Sequence, residues 1–161
     1  MEAFLMEKAN LKQVVLPVDL NTAAVTGARV SIKGCKRIAF VVSMGDSVGA
    51  TTQFTLRQHN AAAAGTSKDL SVANLYYKKA GTATKFTKVE PSVAAAMYDL
   101  SADFAAEEGI AVFEVLEEDL DVNNGFAWVS MDIADSGAAK LASVLAVLGG
   151  PDILPAYSQD I

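Results

Sequence analysis

From position 28 onward, apolar and polar side chains trade places every second residue, which is the period of a strand with one face in a core. Val30 and Ile32 alternate with Ser31 and Lys33. After Gly34-Cys35, the segment from Arg37 to Met44 puts Ile38, Phe40, Val42 and Met44 on one face, and Ala39 and Val41 on the other predict burial on both sides. Thr51 to His59 directs Phe54 and Leu56 inward and Gln53, Thr55 and Arg57 outward. Leu75 to Lys79 and Lys85 to Val89 flank Ala80-Gly81-Thr82-Ala83, the pattern of a hairpin. Ile110 to Leu116 aligns Ala111, Phe113 and Val115 on one face. Asn123-Asn124-Gly125 is a strong turn signal, and it leads into Phe126 to Ala134 with Ala127, Val129, Met131 and Ile133 on one side. Phe40, Phe54, Phe113, Val129 and Met131 are therefore predicted core residues, and Gly125 is predicted to take a positive φ.

Other stretches are less regular. The Ala-rich run from Asn60 to Ser67 is too short and too close to Gly65 for more than a loop or one helical turn. Val93, Met97, Leu100 and Phe104 follow Pro91 at spacings of three and four, which predicts a helical turn within 92–108. Leu141 to Leu148 fits a helical stripe as well as a buried strand, and Gly149-Gly150-Pro151 ends it either way. Residues 1–27 hold Pro17 and Asn21-Thr22-Ala23-Ala24 without a sustained period, so they read as an extended N-terminal arm preceding a domain over 28–161. Several short strands punctuated by Gly and Asn predict an all-β single domain, an antiparallel β-sandwich or jelly roll. Phe4, Leu5, Val14, Val15, Leu16 and Val18 make the arm too apolar for a solvated tail. They are expected to bury themselves against another protein surface.

Composition narrows the class. A chain of 161 residues and 16.9 kDa is one domain, and 52% hydrophobic with 20% charged residues excludes a disordered polyelectrolyte. Leu141 to Leu148 falls short of the ~20 apolar residues that span a bilayer, so no membrane helix is expected. Glu2 and Glu7 stand where a signal peptide carries positive charge, which argues against a cleaved signal. The net charge of −6 conceals an asymmetry: twelve of the thirteen basic residues lie in the first 88, and fourteen of the nineteen acidic ones follow. Attraction between the halves of one fold, or between neighbouring subunits, accounts for that pattern. The bases are too scattered, and the overall field too negative, for nucleic acid. Lys140, the lone base of the acidic half, reads as a surface residue.

Candidate chemistry is sparse. Gly45-Asp46-Ser47 is similar to the nucleophile block of GDSL-type esterases, which also needs a His near the C-terminus, and no His follows His59. His59 itself lies opposite the apolar face of its strand and is expected to project outward. No Lys follows Gly49, so the same loop is no phosphate cradle. One Cys and one His build neither a disulfide nor a zinc site, and Glu117, Glu118, Asp119 and Asp121 lack the calcium-loop spacing. No catalytic set, metal or cofactor is expected. Lys36 and Arg37 beside Cys35 are the cationic neighbours that an activated thiol needs; a spectator thiol in a turn is the plainer reading. Trp128, Phe126, Tyr76 and Tyr77 offer ring faces for sugars or bases, although adjacent Tyr76 and Tyr77 point to opposite faces of a strand.

The order of segments carries a resemblance. Arg37-Ile38-Ala39-Phe40-Val41-Val42 is followed by Thr51 to Gln58, then the Ala-rich run from Ala61 to Leu70. Later come Val112-Phe113-Glu114-Val115 and Glu118-Asp119-Leu120-Asp121-Val122-Asn123-Asn124-Gly125-Phe126, and the apolar run Leu141 to Leu148 precedes a tail, Pro151 to Tyr157. Over residues 28–157 the chain resembles small structural proteins encoded in tailed-phage and prophage morphogenesis clusters. That resemblance implies a non-enzymatic virion component, assembled in the host cytoplasm: a capsid decoration (cement) protein on the phage head. It further implies a homo-oligomer, a trimer by preference, that bridges major capsid proteins with the arm on a neighbouring subunit or the capsid. A tail, neck or fibre-base component, or a carbohydrate-binding sandwich with an exposed Trp128, are the alternatives.

Overall fold

The computed structural model describes residues 9–46, 52–104 and 106–149. Two antiparallel sheets enclose one core. The strands are β1 (Ala9–Asp19), β2 (Val30–Ser31), β3 (Arg37–Met44), β4 (Gln53–His59), β5 (Ser67–Asp69), β6 (Tyr76–Ala80), β7 (Thr87–Val89), β8 (Met97–Asp99), β9 (Gly109–Leu116), β10 (Trp128–Ile133) and β11 (Leu141–Gly149). One sheet has six strands in the order β1-β11-β3-β9-β6-β7; the other runs β2-β10-β4-β5, with β8 also paired to β4. The chain is an all-β sandwich, as the alternation predicts.

The inner faces are those expected from period two. Ile38, Phe40, Val42 and Met44 of β3 lie buried across from Ala111, Phe113 and Val115 of β9, and Phe54, Leu56, Val129, Met131 and Ile133 close the core from the other sheet. Phe113 is the joint between the layers: it stacks on Tyr76 at 4.9 Å and lies 4.8 Å from the ring of Tyr98 and 6.0 Å from that of Phe54. Such ring contacts add specificity of orientation to the area they bury. The turn before β10 is a single 3-10 turn, Val122–Asn124, that ends on Gly125 at φ 81°, a left-handed conformation open to glycine at little cost.

Other expectations are settled or corrected. The stripe in 92–108 yields the one helical turn expected, at its end, where Phe104 N donates to Leu100 O at 3.0 Å and both side chains are buried; Val93 and Met97 are exposed, and Met97 belongs to β8, which pairs with β4. The segment Leu141 to Leu148 is a strand, seated between β1 and β3. Ala39 and Val41 are half-buried rather than buried, so the second face of β3 is the outer surface of the six-stranded sheet. Lys140 is 1% exposed; its ammonium donates to Phe104 O at 2.6 Å, and burial depresses its pKa. It is an internal tether.

The largest correction concerns the N-terminal segment. Residues 9–19 are no free arm but β1, paired along β11 from Ala9↔Gly149 to Asp19↔Leu141. Two register shifts, between Gln13 and Val15 and between Val15 and Val18, interrupt the ladder and scramble its sequence period. Gln13 fills the first, its amide donating to Val15 O at 2.6 Å and Val144 O at 3.1 Å. Residues 20–29 then cross to the other sheet, with Leu20 buried and Val25 bridging Ile133. Gly27 has a specific reason: a Cβ there would collide with Met131 O and the Val14 side chain.

Part of the charge asymmetry is satisfied within the chain. Five of the six ion pairs among the described residues, including Arg37–Glu114, Lys68–Asp121 and Lys78–Asp103, join a base of the first 88 residues to a later acid.

Candidate functional site

The exposed edge of the six-stranded sheet carries an apolar groove. Two register shifts interrupt the pairing of β1 with β11 here, and the returning segment 25–28 forms the opposite wall. Val14, Val15, Val18, Val25 and Ala28 line the groove with Gln13 and Leu16, around a cavity of about 550 Å³. Val14 and Val15 are buried in the chain's own core, Val18 is half-buried, and Leu16 stands on the rim, 71% exposed. Four of the residues expected to make an intermolecular contact thus converge on one groove. Two of them already belong to this chain's core, which corrects the expectation that all pack on a neighbour. Phe4 and Leu5 lie outside the described residues.

The backbone of this edge is closed to strand addition over its middle. Val14 O accepts from Ala28 N at 2.8 Å, Pro17 has no N–H to offer, and the bulges break the spacing that a continuous ladder requires. What the edge presents is apolar side chain.

The outer faces of the two sheets differ in kind. On the six-stranded sheet, Leu145, Val41, Val112 and Tyr77 stand in one cross-strand row, half-buried, with Leu11, Ile110 and Leu141 exposed on the same face. On the five-stranded sheet, the outer positions are mostly polar, with Thr55, Arg57, His59, Asp69, Ser130 and Asp132, beside half-buried Trp128 opposite His59 and exposed Met97 opposite Thr55. Arg57 lies between Asp69 at 3.2 Å and Asp132 at 3.9 Å.

His59 sits at the centre of that polar face. It occupies an outward position, as the alternation predicts, but it is only 3% exposed. Nδ1 lies 2.6 Å from Ser67 Oγ and Nε2 2.9 Å from Ser130 Oγ. The Ser130 hydroxyl donates to Asp132 Oδ1, so Nε2–H donates to Ser130 and Nδ1 accepts from Ser67. Arg29 donates to Ser67 Oγ at 3.2 Å and to the carbonyl of Ala61 at 2.9 Å and that of Ala64. Burial, helped by the charges of Arg29 and Arg57, lowers the His59 pKa to about 4. A base that weak accepts little proton density near neutral pH. The arrangement is suited to fastening the 60–66 loop and ill suited to activating Ser67. Ser47 of the esterase-like block lies outside the described residues.

The remaining sequence candidates disperse. Burial raises the Cys35 thiol pKa against a smaller opposing effect of Lys12, the reverse of activation. Tyr76 is in the core aromatic cluster and Tyr77 on the outer face; Phe126 is buried with the Lys68 ammonium over its ring. These rings form no common platform. Trp128 is half-buried. Among the described residues no helix is long and apolar enough to cross a membrane, and no cluster of three metal-ligating side chains occurs.

No protein-family model and no curated protein matches the sequence. Among solved structures, the chain is similar to the crystal structure of the SPBc2 prophage-derived protein YomS, with 10% identity, a TM-score of 0.45, and coverage of 88% of this chain and 93% of that one. At those values the likeness bears on no individual residue.

Proposed function

We propose that this chain is a non-enzymatic structural protein of a tailed-phage particle, acting as a decoration protein that self-associates and braces the head by contacting the major capsid protein. The observation that carries this reading is the β1 groove: an apolar cavity on a sheet edge, with an exposed leucine on its rim, has the character of a protein contact surface. The order of segments along 28–157, similar to that of phage structural proteins, supplies the setting. The His59 network supports the absence of catalysis, because the serine it contacts faces a weak base. Covering the apolar lining of the groove contributes on the order of a few kcal/mol of gross transfer free energy at ~25 cal/mol per Å², much of which the loss of freedom on association offsets. A weak lattice contact of that size becomes effective through multivalency on a particle.

The test is the position of the protein in a whole-particle reconstruction, supported by fractionation of heads from tails. Density on the outer head surface, touching the major capsid protein, is the expected result. Its presence only in tail or neck fractions would overturn the decoration role and favour the tail-component reading.

A further inference from the structure

Resting on that reading of the groove as a contact surface, we propose that its occupant is the same groove of a second copy of this chain, approached antiparallel about a two-fold axis between Val15 and Leu16. Three observations carry this. First, a knob stands beside a hole: Leu16 projects from the rim of the cavity lined by Val14, Val15, Val18, Val25 and Ala28. A two-fold axis at that point sends each Leu16 toward the other copy's cavity, the reciprocity an isologous contact requires.

Second, the same axis matches charges. An antiparallel approach centred between positions 15 and 16 sets Lys12 against Asp19 of the partner subunit, and Asp19 against the partner's Lys12. Lys12 and Asp19 form no ion pair with each other or with any other described residue. Asp19 is held in place by the backbone N–H groups of Asn21 and Lys140, both donating to Oδ1, which leaves its carboxylate oriented at the end of β1. Opposite charges at both ends of an apolar centre favour one register over its neighbours.

Third, strand addition is blocked. Ala28 already occupies the carbonyl of Val14, and Pro17 and the two bulges interrupt the edge, so a side-chain contact remains while the open-ended pairing of exposed strands is prevented. A closed two-fold contact stops at two copies and stands in place of the trimer that the resemblance implies.

The experiment is sedimentation velocity of the purified full chain, with thermal unfolding of each variant to show that it folds. A two-copy species is expected, and Leu16→Asp should weaken it by about tenfold or more, since it places a carboxylate in an apolar contact. Lys12→Glu should weaken it, and the exchanged pair Lys12→Glu with Asp19→Lys should restore it. Asp19→Asn keeps the acceptor for Lys140 and removes only the charge; a drop in affinity with this variant supports the pairing even if the exchanged pair does not fold. A monomeric or trimeric wild-type chain, a dimer unmoved by Leu16→Asp, or a folded exchanged pair that fails to restore association would overturn the inference. The two readings fail separately. A monomer released from heads by Leu16→Asp would remove the two-fold contact and keep the decoration role, whereas a dimer absent from particles would do the reverse.

Discussion

The two sheets present the same kind of inner face and different outer faces, one mostly polar and one mostly apolar. Inside, β3 and β9 meet β4 and β10 through alternating apolar residues, and nothing in the period distinguishes one sheet from the other. Outside, the five-stranded sheet ties its polar groups to one another, from Arg29 through Ser67, His59 and Ser130 to Asp132. The six-stranded sheet leaves Leu11, Leu16, Ile110 and Leu141 exposed along its surface and edge. A satisfied polar face has little to gain from a partner, whereas an apolar edge gains by being covered. This difference is the ground for the proposal that association takes place on the β1 side.

The largest expected effect lies at the joint the two sheets share. Phe113→Ala should destabilise the domain by about 3–5 kcal/mol, the usual cost of removing a buried Phe, as read by denaturant unfolding. A loss below ~1 kcal/mol would mean that the sheets do not share this core.

Acid should next separate the two outer faces. The folded-state pKa of His59 lies near 4, below its ordinary value of 6.5, so as pH falls the unfolded chain takes up a proton first. The contribution is therefore complete above pH 6.5, declines as pH falls to about 4, and is flat below that. Across this window wild type should lose on the order of 3 kcal/mol relative to His59→Gln, measured by unfolding free energies at matched pH. Parallel pH curves for the two proteins would show that the polar face is less closed than its geometry indicates. Gly125→Val should cost about 1–2 kcal/mol, because a β-branched residue is forced to φ near 81° with open space around it. The smallest effect belongs to the apolar edge: Leu16→Asp should change the stability of the isolated monomer by less than ~0.5 kcal/mol, in contrast to its effect on association.

What was legible in the sequence follows the same division. Phe40, Phe54, Phe113, Val129 and Met131 were readable as core because an unbroken strand writes its burial into every second position. Gly125 was readable because the turn chemistry is local. β1 was not: two bulges and Pro17 change its phase twice within eleven residues, so a strand carries the aperiodic pattern of a tail. The stripe from Val93 to Phe104 was legible only at its end: Leu100 and Phe104 form a buried helical turn, while Val93 and Met97 share its spacing but lie on the surface. Lys140 and His59 depend on partners remote in sequence, Phe104 and Ser130, which only the fold brings near. The groove was half legible: Val14, Val15, Leu16 and Val18 announce themselves by hydropathy, while Val25 and Ala28 enter through the crossing of the chain.

The central claim, that the β1 edge meets its own counterpart across a two-fold axis, is tested most directly by oxidative cross-linking of Leu16→Cys in a chain with Cys35 replaced by Ala. A disulfide requires Cα atoms within about 7 Å, which confines cross-linking to residues near the axis. Leu141→Cys, exposed on the same sheet but away from the groove, is the control. The account predicts a covalent dimer from Leu16→Cys at dilutions where Leu141→Cys stays monomeric. Cross-linking by Leu141→Cys alone, or by neither, would contradict it.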